Sequence, residues 1–198
     1  GRPGEPTHEL LTPPGTPHPL LAGIRLASLM HARHAELAKH PLPYVGPESY
    51  FLGILEGGDF FNRVPTACRL VGVRRYGPDS TFEQVQAEMQ EMARQVEAET
   101  GAEVRLGLAR MRDGFRVAED EPVVAALRRA YQTVTGAPLP FAGSRMVGDA
   151  AIFTRAGVPA LYHGPKGTGA HADVEWVPIA ELVRAAQVYL LTALAYGA

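Results

Sequence analysis

A chain of 198 residues, 46% hydrophobic and 20% charged, carries enough apolar side chains for one large or two small packed domains of the ordinary globular kind. A formal net charge of -2 with dispersed lysines and arginines excludes the basic footprint that a nucleic-acid partner requires. The single cysteine, Cys68, excludes an intrachain disulfide and a CxxC zinc framework, which fits a reducing, cytoplasmic setting; no apolar run is read as a membrane span and no signal peptide is recognised.

The chain opens at Gly1 rather than Met, in the Pro- and Gly-rich run "GRPGEPTHELLTPPGTPHP", and is expected to be cut from something longer. Leu20, Ile24, Leu26, Leu29 and Met30 then recur at helical spacing, predicting a helix over about 19–38 that His40-Pro41 ends. "SYFLGILEGG" reads as a strand closed by Gly57-Gly58, and "PTACRLVGVRRY" as a second strand stopped by Gly77-Pro78. Ser80 or Thr81 caps "FEQVQAEMQEMARQVEAET", whose stripe of Phe82, Val85, Met89, Met92 and Val96 marks a helix ending at Gly101. "AEVRLGLARM" alternates as a third strand. With a first strand expected just ahead of residue 1, the order is that of a split βαβ unit: an antiparallel βαββαβ sheet with both helices on one face, over residues 1–113.

From residue 114 the pattern changes. Pro122 opens a helix stopped by Gly136, "DAAIFTRAG" is a short helix, "VPALYHG" reads as a short buried strand, and Pro178 sits in the first turn of a last helix, "PIAELVRAAQVYLLTALAYG". Helices alternating with a buried strand imply an α/β layer, though one strand does not make a sheet.

Local chemistry singles out "GPKGTGAHADVEWV". A turn built from Gly164, Pro165, Gly167 and Gly169 brings backbone close to something, and His171 at its end is placed to offer a ring nitrogen to a metal or a proton to a substrate. One ligand is not a site. His31 and His34 at i, i+3 read as a solvated face, His18 and His40 as exposed loop residues, and His163 as a histidine hydrogen-bonded in place. His8 has no distinguishing local chemistry. A phosphate-binding loop at "GPKGTG" fails, because the lysine precedes the glycines it should follow.

Two blocks carry a resemblance. "ILEGGDFFNRVPTACRLVGVRRYGPDST", with Gly57-Gly58, Asn62, Val64-Pro65, Cys68, Arg75 and Pro78, resembles the lid, or dimerisation, domain of the metallopeptidase family that includes acetylornithine deacetylase, succinyl-diaminopimelate desuccinylase, aminoacylase and carboxypeptidase G. "GDAAIFTRAGVPALYHGPKGTGAHADVEWVPI", with Asp149, Gly157, Pro159, Gly164-Pro165, His171, Glu175 and Val177, is similar to that family's terminal motif. The resemblance implies a lid over 1–113 and the C-terminal segment of an α/β zinc-peptidase catalytic domain over 114–198. It implies that His171 is a ligand of the second of two zinc ions, cobalt or manganese being the other metals considered, with Glu175 as its supporting or helix-start partner. His8 matches the lid histidine that reaches the partner subunit's active site to bind an oxyanion. Asn62 matches a polar lid residue facing substrate, Arg75 one that holds a substrate carboxylate, and Ser144 and Gly148 lie near the loop bordering the substrate. Lys166 departs from the family's usual Gly-Pro-Gly.

The family's remaining machinery, an early His-x-Asp, a bridging aspartate and a Glu-Glu pair, is not found in these residues; His171-Ala172-Asp173 belongs to the terminal motif instead. The resemblance therefore implies part of a metal-dependent amide hydrolase acting on N-acyl amino acids or small peptides, inactive by itself and dimeric through its lid. The alternative is a non-catalytic dimerisation or binding module of the same origin.

Overall fold

The protein, a computed structural model, is described over residues 7–146, 148–170 and 172–197. It is of mixed α/β class and divides into two compact units, Gly1–Gly114 and Phe115–Ala198.

In the first unit, helix α1 (Pro19–Ala38) starts as its sequence dictates: Pro19 occupies the first turn, where no N–H is needed, and His18 caps it by accepting the Leu21 N–H through Nδ1 at 3.4 Å. Ala22, Leu26, Met30 and Leu37 form its buried stripe. Strands β1 (Ser49–Gly57) and β2 (Cys68–Arg75) pair antiparallel. Their register shifts between Leu52 and Ile54, so Gly53 is an extra residue in β1. That bulge changes the phase of the side chains. Pairs Tyr50–Arg74, Leu52–Gly72 and Leu55–Leu70 fall on one face, while Phe51, Ile54, Val71 and Val73 fall on the other and are exposed. Helix α2 (Phe82–Thr100) is held at its start by a reciprocal capping box: Thr81 Oγ1 accepts the Gln84 N–H at 3.2 Å, and the Thr81 N–H donates to Gln84 Oε1 at 2.8 Å. Thr81, not Ser80, is therefore the cap. Gly101 closes the helix in the left-handed region at φ 66°.

Both helices contribute to one core with the inner sheet face, in which Leu26, Met30, Tyr50, Met89 and Val96 are buried. Helix α1 approaches the sheet closely at Gly23, where a Cβ would lie 2.4 Å from Cys68 Sγ and 3.2 Å from Leu55 Cδ1. Between the helices and the strand ends sits a charged network. Arg74 donates to Glu48 at 2.7 Å and lies over the Tyr50 ring at 4.9 Å, Tyr50 Oη donates to Glu88, and Arg33 donates to Glu88 at 2.8 Å.

The expected third strand, 102–111, is corrected in one respect. Its alternation is real, since Ala102, Val104 and Leu106 turn to the core, but it forms no ladder among the described residues. In the split βαβ order expected, the strands flanking the second helix are not neighbours, so this segment has no adjacent strand to bond among the described residues. A groove of about 310 Å³ has Leu70, Gly72 and Arg74 of β2 and Val104 and Leu106 of this segment among its lining residues.

In the second unit, helix α3 (Pro122–Thr135) packs on helix α5 (Ile179–Tyr196) through Leu127, Ala130 and Val188, with Tyr131, Val134, Leu161 and Leu191 around them. Pro122 opens α3, and Gly136 ends it at φ 72°. Helix α4 is short (Ala150–Arg155). The run 158–164 is not the buried strand expected: it forms no ladder among the described residues, and Val158 and Tyr162 are exposed. A buried strand needs strands on both sides, and none is described here. Pro178 proves to be the residue before α5 rather than within it. Helix α5 also corrects the reading of hydropathy, because by length and composition it is long and apolar enough to cross a membrane. One face of it is buried against α3, and Leu182, Val183, Leu190 and Leu194 are exposed.

Candidate functional site

The two residues of the first unit singled out by the resemblance, His8 and Asn62, are 54 positions apart in sequence and meet in space. Residues 7–9 run antiparallel to 62–64: the Glu9 N–H donates to Asn62 O at 3.0 Å, the Val64 N–H donates to Thr7 O at 3.1 Å, and His8 and Arg63 form the bridge between them. This short ladder is what fixes the loop between β1 and β2 against the chain's beginning. His8 then caps the single 3-10 turn Glu9–Leu11, its Nδ1 accepting the Leu10 N–H at 3.2 Å, while the Thr12 hydroxyl donates to His8 O at 3.1 Å. On the other edge of the ring, Nε2 lies 2.9 Å from the side-chain amide of Asn62.

The pair sits at the surface, and its sequence neighbours are unusually bare. Leu10 and Leu11 are 82% and 77% exposed, and Phe61 is 88% exposed. Phe60 stacks on Phe61 at 4.6 Å between ring centroids, with Arg63 over the Phe60 ring and in an ion pair with Asp59 at 2.8 Å. Exposed apolar groups of this size concentrated beside a polar pair mark a surface that meets something. A hollow of about 390 Å³ lined by Thr7, Pro13–Pro17, Pro19 and Val64–Thr66 adjoins the same ladder.

Arg75 is elsewhere. It ends β2, seven residues from Cys68, so along the strand it is roughly 23 Å from the loop that carries Asn62. Its neighbour Arg74 points inward and is buried with Glu48, whereas Arg75 is on the exposed face. The structure brings His8 and Asn62 together and leaves Arg75 at the opposite end of the strand.

The terminal loop has a clear local logic. The Thr168 N–H donates to Trp176 O at 3.0 Å, and the Trp176 N–H donates to Thr168 O at 3.1 Å, clamping the loop at its base. Inside the clamp the Ala172 N–H donates to Gly169 O at 2.8 Å. Gly169 has φ 82°, and a Cβ there would meet Val174 O at 2.1 Å; at Gly167 a Cβ would meet Val177 Cγ2 at 2.8 Å. What these two glycines leave room for is the loop's own chain. His171, the residue this loop was expected to present, lies outside the described residues. Glu175 is exposed at the loop's end, and the acidic residue in the first turn of α5 is Glu181, so Glu175 is not at the helix start. Ser144 is exposed and accepts the Met146 N–H at 3.1 Å. Gly148 lies under Tyr162, where a Cβ would be 2.3 Å from the hydroxyl, and that hydroxyl accepts the Ala150 N–H at 3.1 Å.

Two features escaped sequence reasoning. His163 stands between Tyr131 and Tyr189, edge-on to both at 5.8 and 5.6 Å, and its buried Nδ1 has no hydrogen-bond partner among the described residues, contrary to the bonded role expected; burial pushes its pKa down. Tyr189 Oη donates to its carbonyl. The Glu48–Arg74–Glu88 network joins residues 26 and 14 positions apart, and nothing local announces it. Burial raises the Glu48 pKa, but the Gly77 N–H, the Ser80 hydroxyl and Arg74 outweigh it and hold the carboxyl below its ordinary range. Of the helical histidines, His31 is exposed, and His34 accepts the Tyr50 N–H at 3.3 Å. Among the described residues no group of three or more His, Cys, Asp or Glu is placed to hold a metal ion.

The family described as Peptidase family M20/M25/M40 matches residues 12–195. No curated protein matches the chain. Among solved structures, the aminopeptidase PepT from Bacillus cereus is similar at a TM-score of 0.79 and 19% identity, over 98% of this chain and 49% of its own. A tripeptidase from Staphylococcus aureus is similar at 0.68 and 18%, again over 98% of this chain and 49% of its own. An M20 family metallo-carboxypeptidase from Sulfolobus solfataricus follows at 0.61 and 16%, over 89% of this chain and 45% of its own. At these identities the likeness is one of fold. The chain spans about half the length of each.

Proposed function

The chain belongs to peptidase family M20/M25/M40, and from that membership we propose that it is the lid and the terminal catalytic segment of a metal-dependent amide hydrolase acting on small peptides or N-acyl amino acids. The observation that carries this reading is the His8–Asn62 pair, two motif residues joined by a backbone ladder and set in an exposed apolar surround. In this reading His8 donates a hydrogen bond to the carbonyl oxygen of a bound amide and to the oxyanion that grows there, which lowers the barrier because the interaction strengthens as charge develops. Two copies pair through their lids, each delivering its His8 to the other's substrate.

Metal is the part these residues supply least. No coordination shell assembles from the described residues, and one histidine, His171, cannot make the three or four protein ligands zinc takes. Zinc would need carboxylate and histidine ligands from beyond these residues. The same gap favours a second reading, a binding or dimerisation module without chemistry.

Zinc titration and hydrolysis assays decide between them. The 198-residue chain should bind zinc weakly. The whole protein should bind it stoichiometrically, cleave N-acyl amino acids or dipeptides, and lose one metal per subunit with most of its turnover in His171→Ala. A whole protein that binds no metal and cleaves none of these substrates supports the module. Tight zinc binding by the 198-residue chain that His8→Ala abolishes, and His171→Ala does not, would put the ligand at the wrong histidine.

A further inference from the structure

The surroundings of His8 determine where its proton sits. Nδ1 accepts the Leu10 N–H at 3.2 Å, so Nδ1 carries no hydrogen. A neutral imidazole has one proton, which is then on Nε2. The Asn62 amide lies 2.9 Å from Nε2 with its nitrogen, Nδ2, on the near side. If the amide nitrogen donated there, both ring nitrogens would be acceptors and the ring an anion. The two ends of an amide are isosteric, and only the oxygen complements a protonated Nε2.

We propose that Asn62 is a positioning residue that, with the Leu10 N–H, locks His8 in the Nε2–H tautomer and aims that proton. The consequence is a division of labour: His8 is built to donate, and it cannot take a proton at Nε2 while the lock holds. A general-base role for His8 is thereby excluded at the resting geometry. Asn62 also shields the donor until a substrate carbonyl takes the oxygen's place, an exchange of one acceptor for another that leaves no hydrogen-bonding group unpaired. The aim of the donor at a substrate rests on the proposed function; the lock itself does not.

The lock is separable from the fold of the loop. The backbone bonds from Glu9 to Asn62 O and from Val64 to Thr7 O do not involve the Asn62 side chain, so its truncation leaves the ladder in place. Two-bond 1H–15N correlation spectra of the 15N-histidine-labelled chain distinguish the two tautomers, and the His8 signals are identified by their loss in His8→Gln. At about pH 9, well above the ordinary imidazole pKa, His8 should show the pattern of a pure Nε2–H ring. Asn62→Ala leaves the Leu10 N–H alone to hold the ring and should shift the pattern part of the way toward the averaged one of a free imidazole. Asn62→Asp, whose carboxylate still accepts from Nε2–H, should keep the wild-type pattern, with the Glu9 and Val64 amide signals unchanged in both variants. An averaged or Nδ1–H pattern in the wild type overturns the proposal, and so does an Asn62→Ala spectrum identical to it, or loss of the pattern in Asn62→Asp. Because no substrate is present, a locked His8 in a whole protein without hydrolase activity would count against the proposed function and leave the lock standing.

Discussion

Gly23→Ala should destabilise the first unit even though alanine is the better helix former. Residue 23 is interior to α1, where replacing glycine with alanine is worth about 1 kcal/mol of helix stability. Against this, the new methyl would lie 2.4 Å from Cys68 Sγ, well inside contact distance. Overpacking of that kind costs about 1–3 kcal/mol, so the net effect is a loss of about 1 kcal/mol. The sign should reverse when the sulfur is absent. In a Cys68→Ala background the nearest remaining atoms are Leu55 Cδ1 at 3.2 Å and the Cβ of residue 68 at 3.4 Å, the first of them the tip of a flexible chain. There Gly23→Ala should stabilise by up to about 1 kcal/mol, giving a coupling of about 2 kcal/mol between the two sites. Native-state hydrogen exchange of the core amides of Met30 and Val96, both fully or nearly buried, measures the four members of the cycle. Equal effects of Gly23→Ala in both backgrounds, or stabilisation in the wild type, would refute the close helix-to-sheet approach as the reason for glycine.

Glu48 has a folded pKa held below its unfolded value, so it contributes stability that is full above about pH 4.3 and is lost as pH falls through the folded value. Acid unfolding of the first unit, followed by the same core amides, should therefore steepen below about pH 4.3, and Glu48→Gln should flatten that dependence while lowering stability at neutral pH; an unchanged slope would show that the Gly77 N–H, the Ser80 hydroxyl and Arg74 do not together hold the carboxylate down. Strand β1 pairs on one side only among the described residues, and the sheet's outer face presents Phe51, Val71 and Val73. The proposed pairing through the lid should accordingly appear as a dimer in sedimentation of the 198-residue chain at high micromolar concentration, and a monomer there would count against it.

Much of this protein is written locally. The limits of α1, α2 and α3 follow from Pro19, Thr81, Gly101, Pro122 and Gly136, because caps and stops act through bonds within a few residues of themselves. The alternation of Ala102, Val104 and Leu106 likewise foretells which face is buried, since side-chain period is a property of the segment alone. Whether such a segment is a strand is not. A ladder needs a neighbour, and neither 102–111 nor 158–164 forms one among the described residues. The family motifs mark His8 and Asn62 separately, but only the pairing of 7–9 with 62–64 brings the ring and the amide to 2.9 Å. The phase change at Gly53, the burial of Arg74 rather than Arg75 and the space kept free by Gly23 are of the same kind. Sequence settles what depends on a residue and its near neighbours, and tertiary structure decides every contact whose partner lies across the fold, because the closing of that loop is a balance of packing against chain entropy that no short stretch encodes.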